Sequence, residues 1–190
     1  MNLILIDPEE RDGDLVQLCD RRAQHIVEVI RAKPGDRLRI GIVQGPAGWA
    51  RVKQVDRSQV TLSIDSLNTQ ATAPQTHLIL AVPRPKVLKR IVRAAACLGV
   101  ARVDLVNAWR VEKAYFNSPV LFPSSLEDAL RMGCEQSATT WIPEIAVHRL
   151  LMPFLKNYAP QNTALIAHPG ANTDIETVFE SATQIFAITQ

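Results

Sequence analysis

Apolar residues fall at two different spacings along the chain, and the change of spacing divides it. Up to residue 64 they come in short runs or alternate with polar residues: Leu3–Ile6, Leu15–Leu18, Leu38–Val43, Trp49–Val55 and Val60–Ile64. Such runs, separated by PEERDGD, KPGD (33–36), QGPAG and DRSQ, predict strands joined by tight turns. One helical stripe interrupts them: Ala23, Ile26, Val27 and Ile30, behind Asp20, whose carboxylate can accept the helix's first free amides. One helix with about five short strands predicts a small barrel over residues 1–67. Residues 68–76, polar and without periodicity over NTQATAPQ, read as a linker.

From residue 77 strands and helices alternate. His77–Val82 (HLILAV) predicts a strand. Leu88, Ile91, Val92 and Ala95 at i, i+3, i+4 and i+7 predict a helix that Gly99 closes. Val103, Leu105 and Val106 predict a second strand. Strand, helix, strand is the parallel crossover unit, and it sets Asn107–Lys113 at a strand's carboxyl end, where open α/β sheets bind ligands. Ser124 begins SSLE, the pattern of a capping box, ahead of a helix whose face is Leu126, Ala129, Leu130 and Gly133. Met152–Tyr158 is a short element, Ala164–Ala167 a buried strand, and Ile185–Ile188 the last strand. The expected class is therefore α/β: a β-barrel followed by a domain with a parallel sheet over residues 77–190.

Charge adds one asymmetry. The net charge of +2 is too small to imply a polyanionic partner. Residues 1–68 hold equal numbers of acids and bases. Between Ser66 and Val103 there is no acid, yet Arg84, Lys86, Lys89, Arg90, Arg93 and Arg102 fall there. A one-sign block fits a phosphate-bearing partner or a solvated helix face.

Chemical motifs are few. The 3 cysteines are isolated, without metal-ligand spacing or a disulfide framework. The 4 histidines, His25, His77, His148 and His168, are too dispersed to define a site, and no metal is expected. No apolar run approaches the ~20 residues that span a membrane. The N-terminus lacks the basic start of a signal peptide, so a soluble, cytoplasmic protein without a membrane partner is expected. His168-Pro169-Gly170-Ala171 after a strand lets the backbone turn sharply, towards a ligand or simply at a strand end. Arg110 in NAWRVEK has a fork that can make two hydrogen bonds at once, to a ligand or to Glu112. Glu135 ends the capped helix, where the dipole disfavours an acid, and so implies a specific partner. Trp109 and Trp141 are candidates for base stacking or for packing.

PRPKVLKR…LGV…VNAWRVEKAYFNSP, then GCEQSATTWIPEI and IAHPGA, in that order, resemble the ribosomal RNA small subunit methyltransferase E family. The resemblance runs from about Leu15 to Ile188. It implies an RNA uridine N3-methyltransferase of the SPOUT, or α/β-knot, class with a PUA-like N-terminal barrel. S-adenosyl-L-methionine would be the cofactor, and 16S ribosomal RNA of the small ribosomal subunit the partner, acted on by a homodimer. By the same resemblance Arg110 and Glu135 are the candidate catalytic residues. His168, Pro169, Gly170 and Ile188 are candidates for the cofactor site. His25, Arg31, Arg84, Lys86, Lys89 and Arg90 are candidates for RNA contacts. Family members continue with a Gly-Pro-Glu-Gly-Gly loop, a strand, a second loop and a helix. The sequence in hand stops at Gln190, so its C-terminal knot and most of its cofactor site are expected to be missing. Its activity is expected to be impaired, the alternative being a non-catalytic RNA-binding remnant.

Overall fold

The computed structural model describes residues 2–109, 111–158, 163–167 and 185–189. The chain forms two units, Met1–Thr72 with Cys134–Ile142, and Ala73–Gly133 with Pro143–Gln190.

The first unit is a curled, half-barrel sheet in the order β1-β4-β5-β6-β3-β2. Its strands are β1 (Ile4–Ile6), β2 (Arg11–Asp12), β3 (Leu15–Leu18), β4 (Arg37–Ile42), β5 (Ala47–Val55) and β6 (Val60–Thr69). β1 and β4 run parallel and the other neighbours antiparallel. Alternation does what the sequence implies. Leu38, Ile40, Ala50, Val52, Val60 and Leu62 point inward to one core with Ala23 and Ile26. Arg37, Arg39, Trp49 and Arg51 point out. The segment Cys134–Ile142, which the sequence placed with the second domain, clusters here. β6 runs to Thr69, two residues into the expected linker.

The helix opens as expected. Asp20 accepts a hydrogen bond from the Arg22 amide at 2.8 Å and caps α1 (Arg21–Gln24). From His25 to Ile30 it widens into a π-helix, ended by Arg31 at φ 57°. The wider turn pulls later residues off the 3.6-residue stripe. Ile30, expected on the apolar face, is therefore 39% exposed, and Val29 is 66% exposed. Arg22 is buried and tied to Glu10 and Asp20. Burial opposes its charge, but the two carboxylates outweigh that and raise its pKa.

The second unit is a parallel sheet in the order β10-β11-β7-β8-β9. The strands are β7 (His77–Ala81), β8 (Arg102–Val106), β9 (Glu144–His148), β10 (Thr163–Ala167) and β11 (Ile185–Thr189). The α-helices among the described residues are α2 (Pro85–Cys97), α3 (Pro123–Ser137) and α4 (Leu151–Asn157). α2 buries Leu88, Val92 and Ala95 and ends as predicted. Gly99 takes φ 74°, its amide bonds to Ala96 and that of Val100 to Ala95, the paired bonds of a Schellman cap. α3 passes α2 closely. A Cβ on Gly133 would stand 2.4 Å from the Arg93 carbonyl oxygen, and the Cys97 thiol donates to the Gly133 carbonyl at 3.2 Å.

Three expectations for this unit change. α3 begins at Pro123, a position that suits proline because the amide there has no helical partner. Ser124 thus lies inside the first turn, and Glu127 accepts from Arg131 at 3.1 Å. β10 is an edge strand, and Ala164 and Ile166 are exposed rather than buried. β9, not anticipated after Pro143, forms the other edge beside β8.

Candidate functional site

Because the five described strands of the second unit are parallel, Ala81, Val106, His148, Ala167 and Thr189 end on one edge of its sheet. That edge is where parallel sheets take ligands. β8 leads into Asn107, which is held on the β9 side. Its side chain donates to the Arg149 carbonyl at 3.2 Å, and its amide to that of His148. Trp109 is 99% exposed and so has no packing role in this unit. Glu112 accepts from the Tyr115 hydroxyl at 3.0 Å. The segment continues through buried Phe116, whose ring lies 5.9 Å from the Arg149 guanidinium. Phe116, Leu121, Phe122, Val147 and Arg149 line a cleft of about 490 Å³.

α2 starts just past the carboxyl end of β7. Arg84 is its cap residue, and Arg84, Lys86, Lys89 and Arg90 are all exposed. The helix N-terminus carries partial positive charge and free amides, and these four cations add to it. The arrangement can hold phosphates.

A second group, on one face of the sheet, gathers residues the sequence had kept apart. Asp104 sits mid-strand in β8 and is fully buried. Arg102 grips its carboxylate twice, at 2.7 and 2.9 Å, and His148 Nε2 meets it at 2.7 Å. Burial alone would raise the Asp104 pKa, but the hydrogen bonds from Arg102 and His148 outweigh it and lower the value. The bond to Asp104 in turn raises the Arg102 pKa, against burial. Phe154 of α4 stacks on His148 at 4.3 Å, and Tyr158 follows at 5.3 Å from Phe154. Burial and the Asp104 charge push the Tyr158 hydroxyl's pKa up. His77, Arg102, His148, Arg149, Phe154 and Tyr158 line an open cleft of about 700 Å³. His77 and His148 are therefore not dispersed, as the sequence had it, but share one cleft. A carboxylate already holding three short hydrogen bonds is no free base; it orients the imidazole and the guanidinium.

In the first unit Glu135 finds the partner its position implied. Arg21 binds its buried carboxylate with both prongs, at 2.7 and 2.9 Å. The Glu135 carbonyl accepts from the amides of Asn2 and Leu3. His25 lies near this pair. Burial and nearby positive charge lower its pKa, against the pull of Glu135. Arg31 is exposed at the helix end. Ile188 lies in β11, in register with Ile166 of β10 and Ile79 of β7. Arg110, His168, Pro169 and Gly170 lie outside the described residues. Among the described residues no cluster of His, Cys, Asp or Glu could hold a metal ion.

Among known proteins, this chain is 27% identical over 163 residues to ribosomal RNA small subunit methyltransferase E 1 of Borreliella burgdorferi. The match covers 85% of this chain and 68% of that relative. It is also 27% identical to ribosomal RNA small subunit methyltransferase E of Treponema pallidum, covering 83% of this chain and 60% of the relative. The fold is shared with ribosomal RNA small subunit methyltransferase E of Neisseria gonorrhoeae, solved bound to S-adenosyl methionine. There the TM-score is 0.77 at 18% identity, over 99% of this chain and 78% of that one. A methyltransferase of Legionella pneumophila, solved with its bound cofactor, gives 0.78 at 21% identity, over 98% and 78%. These likenesses bear out the expected α/β class, a barrel-type unit followed by a parallel-sheet unit, with the expected barrel observed as a curled half-barrel. The model of the RNA methyltransferase domain matches residues 70–189, which hold the whole parallel sheet. The chain belongs to the RNA methyltransferase domain family.

Proposed function

We propose that this protein transfers the methyl group of S-adenosyl-L-methionine to N3 of a uridine in 16S ribosomal RNA of the small ribosomal subunit. The observation that carries the proposal is the family match over 70–189, which falls on the sheet whose carboxyl ends form one edge. The relatives named ribosomal RNA small subunit methyltransferase E support the RNA as substrate.

When bound, the donor supplies an electrophilic methyl group on a sulfonium. The described residues fit such a group in one respect. β10 and β11 are neighbours, in register from Thr163↔Ile185 to Ala167↔Thr189, so their carboxyl ends lie side by side. His168, Pro169 and Gly170 come directly after β10 and, with the Ile188 position of β11, form the donor side of the proposed site. The protein's own task is then alignment. The cations of α2, Arg84, Lys86, Lys89 and Arg90, hold phosphates beside the sheet edge. Arg110 holds the target uridine or its phosphate with a two-pronged grip. His25 and Arg31 add RNA contacts on the first unit. Glu135, engaged by Arg21, acts as a positioning residue that fixes its own segment. Among the described residues no helix is long and apolar enough to cross a membrane. The reading places the protein in the cytoplasm as a homodimer.

The test incubates the 190-residue protein with methyl-labelled donor and small-subunit ribosomal RNA. The RNA is then digested and the labelled nucleoside identified by mass spectrometry. N3-methyluridine is the expected product. Label on another nucleoside refutes the target, and no label refutes the activity. Arg110→Lys should lose nearly as much rate as Arg110→Ala, since ~1 Å of misalignment costs on the order of a hundredfold. A lysine variant of near-native rate would reduce Arg110 to a general phosphate contact.

A further inference from the structure

The first unit carries a charged aromatic face that the proposed site does not use. Arg39 of β4 stands in register with Trp49 of β5, and Arg37 with Arg51. All four side chains point away from the core, and Lys53 of β5 is exposed near them. The inward residues of the same strands, Leu38, Ile40, Ala50 and Val52, already fill the core. Trp49 is thus not needed for packing, yet a tryptophan 41% exposed is kept on the outside.

The face is also pre-arranged. Trp49 pairs with Ser66 and Ala50 with Ile64, so Asp65 is the extra residue of a bulge in β6. Its carboxylate lies 3.3 Å from both Arg37 Nε and Arg51 Nη2. Held this way, the Arg37 guanidinium lies 5.1 Å from the centre of the Trp49 ring. Asp65 is the acid set among Arg37, Arg39, Arg51 and Lys53. Among the described residues Arg39 and Lys53 have no carboxylate partner. The face stays net positive around the exposed ring.

We infer that this β4–β5 face is a docking surface for single-stranded RNA, one base stacking against Trp49 while Arg39, Arg51 and Lys53 meet neighbouring phosphates. Cations flanking an exposed aromatic ring are what a single strand requires, because its bases present their faces and its backbone one charge per nucleotide. A duplex hides those base faces and would use the cations alone. The inference rests on RNA being the substrate but concerns residues of the first unit, none of which belongs to the proposed methyl-transfer site.

The experiment measures binding of the full chain to a fluorescent oligouridylate by anisotropy, without methyl donor, over a series of salt concentrations. Inorganic polyphosphate serves as a probe with charge but no bases. Trp49→Ala should weaken oligouridylate binding about tenfold or more while leaving polyphosphate binding near native, and Trp49→Phe should keep most of the affinity. Arg39→Ala should reduce the slope of log affinity against log salt by about 0.7, one phosphate contact on a single strand. Unfolding midpoints of these surface variants should match the native protein. Native-like RNA binding by Trp49→Ala overturns the inference. So does an equal loss for RNA and polyphosphate, or no binding of oligouridylate by the native chain. A protein that transfers no methyl group yet loses RNA with Trp49→Ala defeats the catalytic reading and upholds this one. RNA loss confined to Lys86→Ala and Arg90→Ala overturns this inference and leaves the catalytic reading to the labelling experiment.

Discussion

Gly133→Ala tests how closely α2 and α3 must approach. Alanine in the middle of a helix is worth ~1 kcal/mol over glycine, so propensity alone predicts stabilisation. The structure predicts the opposite. The new Cβ would stand 2.4 Å from the Arg93 carbonyl oxygen and 2.7 Å from the Ala96 Cβ. Comfortable carbon contacts lie at ~3.5–4 Å, so the helices must part by about 1 Å. The obstacle at 2.4 Å is backbone, which cannot rotate away as a side chain could. Overpacking typically costs ~1–3 kcal/mol, and this site belongs at the upper end. Parting the helices also stretches the Cys97 thiol bond to the Gly133 carbonyl. Net destabilisation should be about 1–2 kcal/mol. At ~2–4 °C per kcal/mol for a chain of this length, Tm should fall by about 2–8 °C. Thermal unfolding followed by circular dichroism reads this directly. Adding Ala96→Gly should recover only part of the loss, since the carbonyl contact remains. An unchanged or higher Tm for Gly133→Ala would refute the packing argument.

Other perturbations follow from the ion networks and from the basic helix. Asp104 has a folded pKa below its ordinary 3.8, so its stabilisation is complete above that value and is lost as pH falls through the folded pKa. Asp104→Asn should lower Tm at pH 6 and flatten the native fall in Tm between pH 5 and pH 2; an equally steep fall in the variant would show that Asp104 is not the titrating group. Arg21→Ala leaves the buried Glu135 carboxylate without its guanidinium. Breaking a buried pair costs ~3–5 kcal/mol, reduced here to about 1–3 because the Arg21 side chain is 40% exposed. Urea denaturation checks this, and Glu135→Gln in the Arg21→Ala background should restore part of the loss. Replacing Lys86 and Arg90 with alanine should lower the salt slope of single-stranded RNA binding by about 1.4 if both meet phosphates; an unchanged slope would make the block a solvated face.

What the sequence revealed was mostly local. The Leu88–Ala95 stripe and Gly99 define α2 because both are statements about neighbours along the chain. Asp20 does the same for α1. The π-helical turn was invisible because nothing in HIVEVI breaks the 3.6-residue pattern. β9 was missed because Pro143 looked like an ending, and EIAVH alternates too weakly to declare an edge strand. Missing β9 meant missing the Asp104 cluster, since His148 arrives from 44 residues away on that strand. Strand order, which no local pattern fixes, decides such pairs.

Yet the residues with distant partners did leave a trace: each breaks a local rule. Asp104 interrupts the buried run VDLV, where an unpaired carboxylate would be prohibitive, and Arg102 and His148 answer for it. Glu135 sits at the wrong end of a helix dipole, and Arg21, 114 residues away, resolves the conflict. Gly133 weakens a helix interior and proves to be the close approach to α2. Trp49 stands on the outward step of an alternating strand, where burial predicts a polar residue, and two arginines and an aspartate are arranged about it. Three of these four violations are settled inside the fold by contacts that satisfy the offending group completely. Trp49 is not, because Arg37 covers its ring only in part and 41% of the residue still faces solvent. A local cost left uncompensated by the fold is one a ligand can compensate, and that sets Trp49 apart from the structural exceptions as the place to look for RNA.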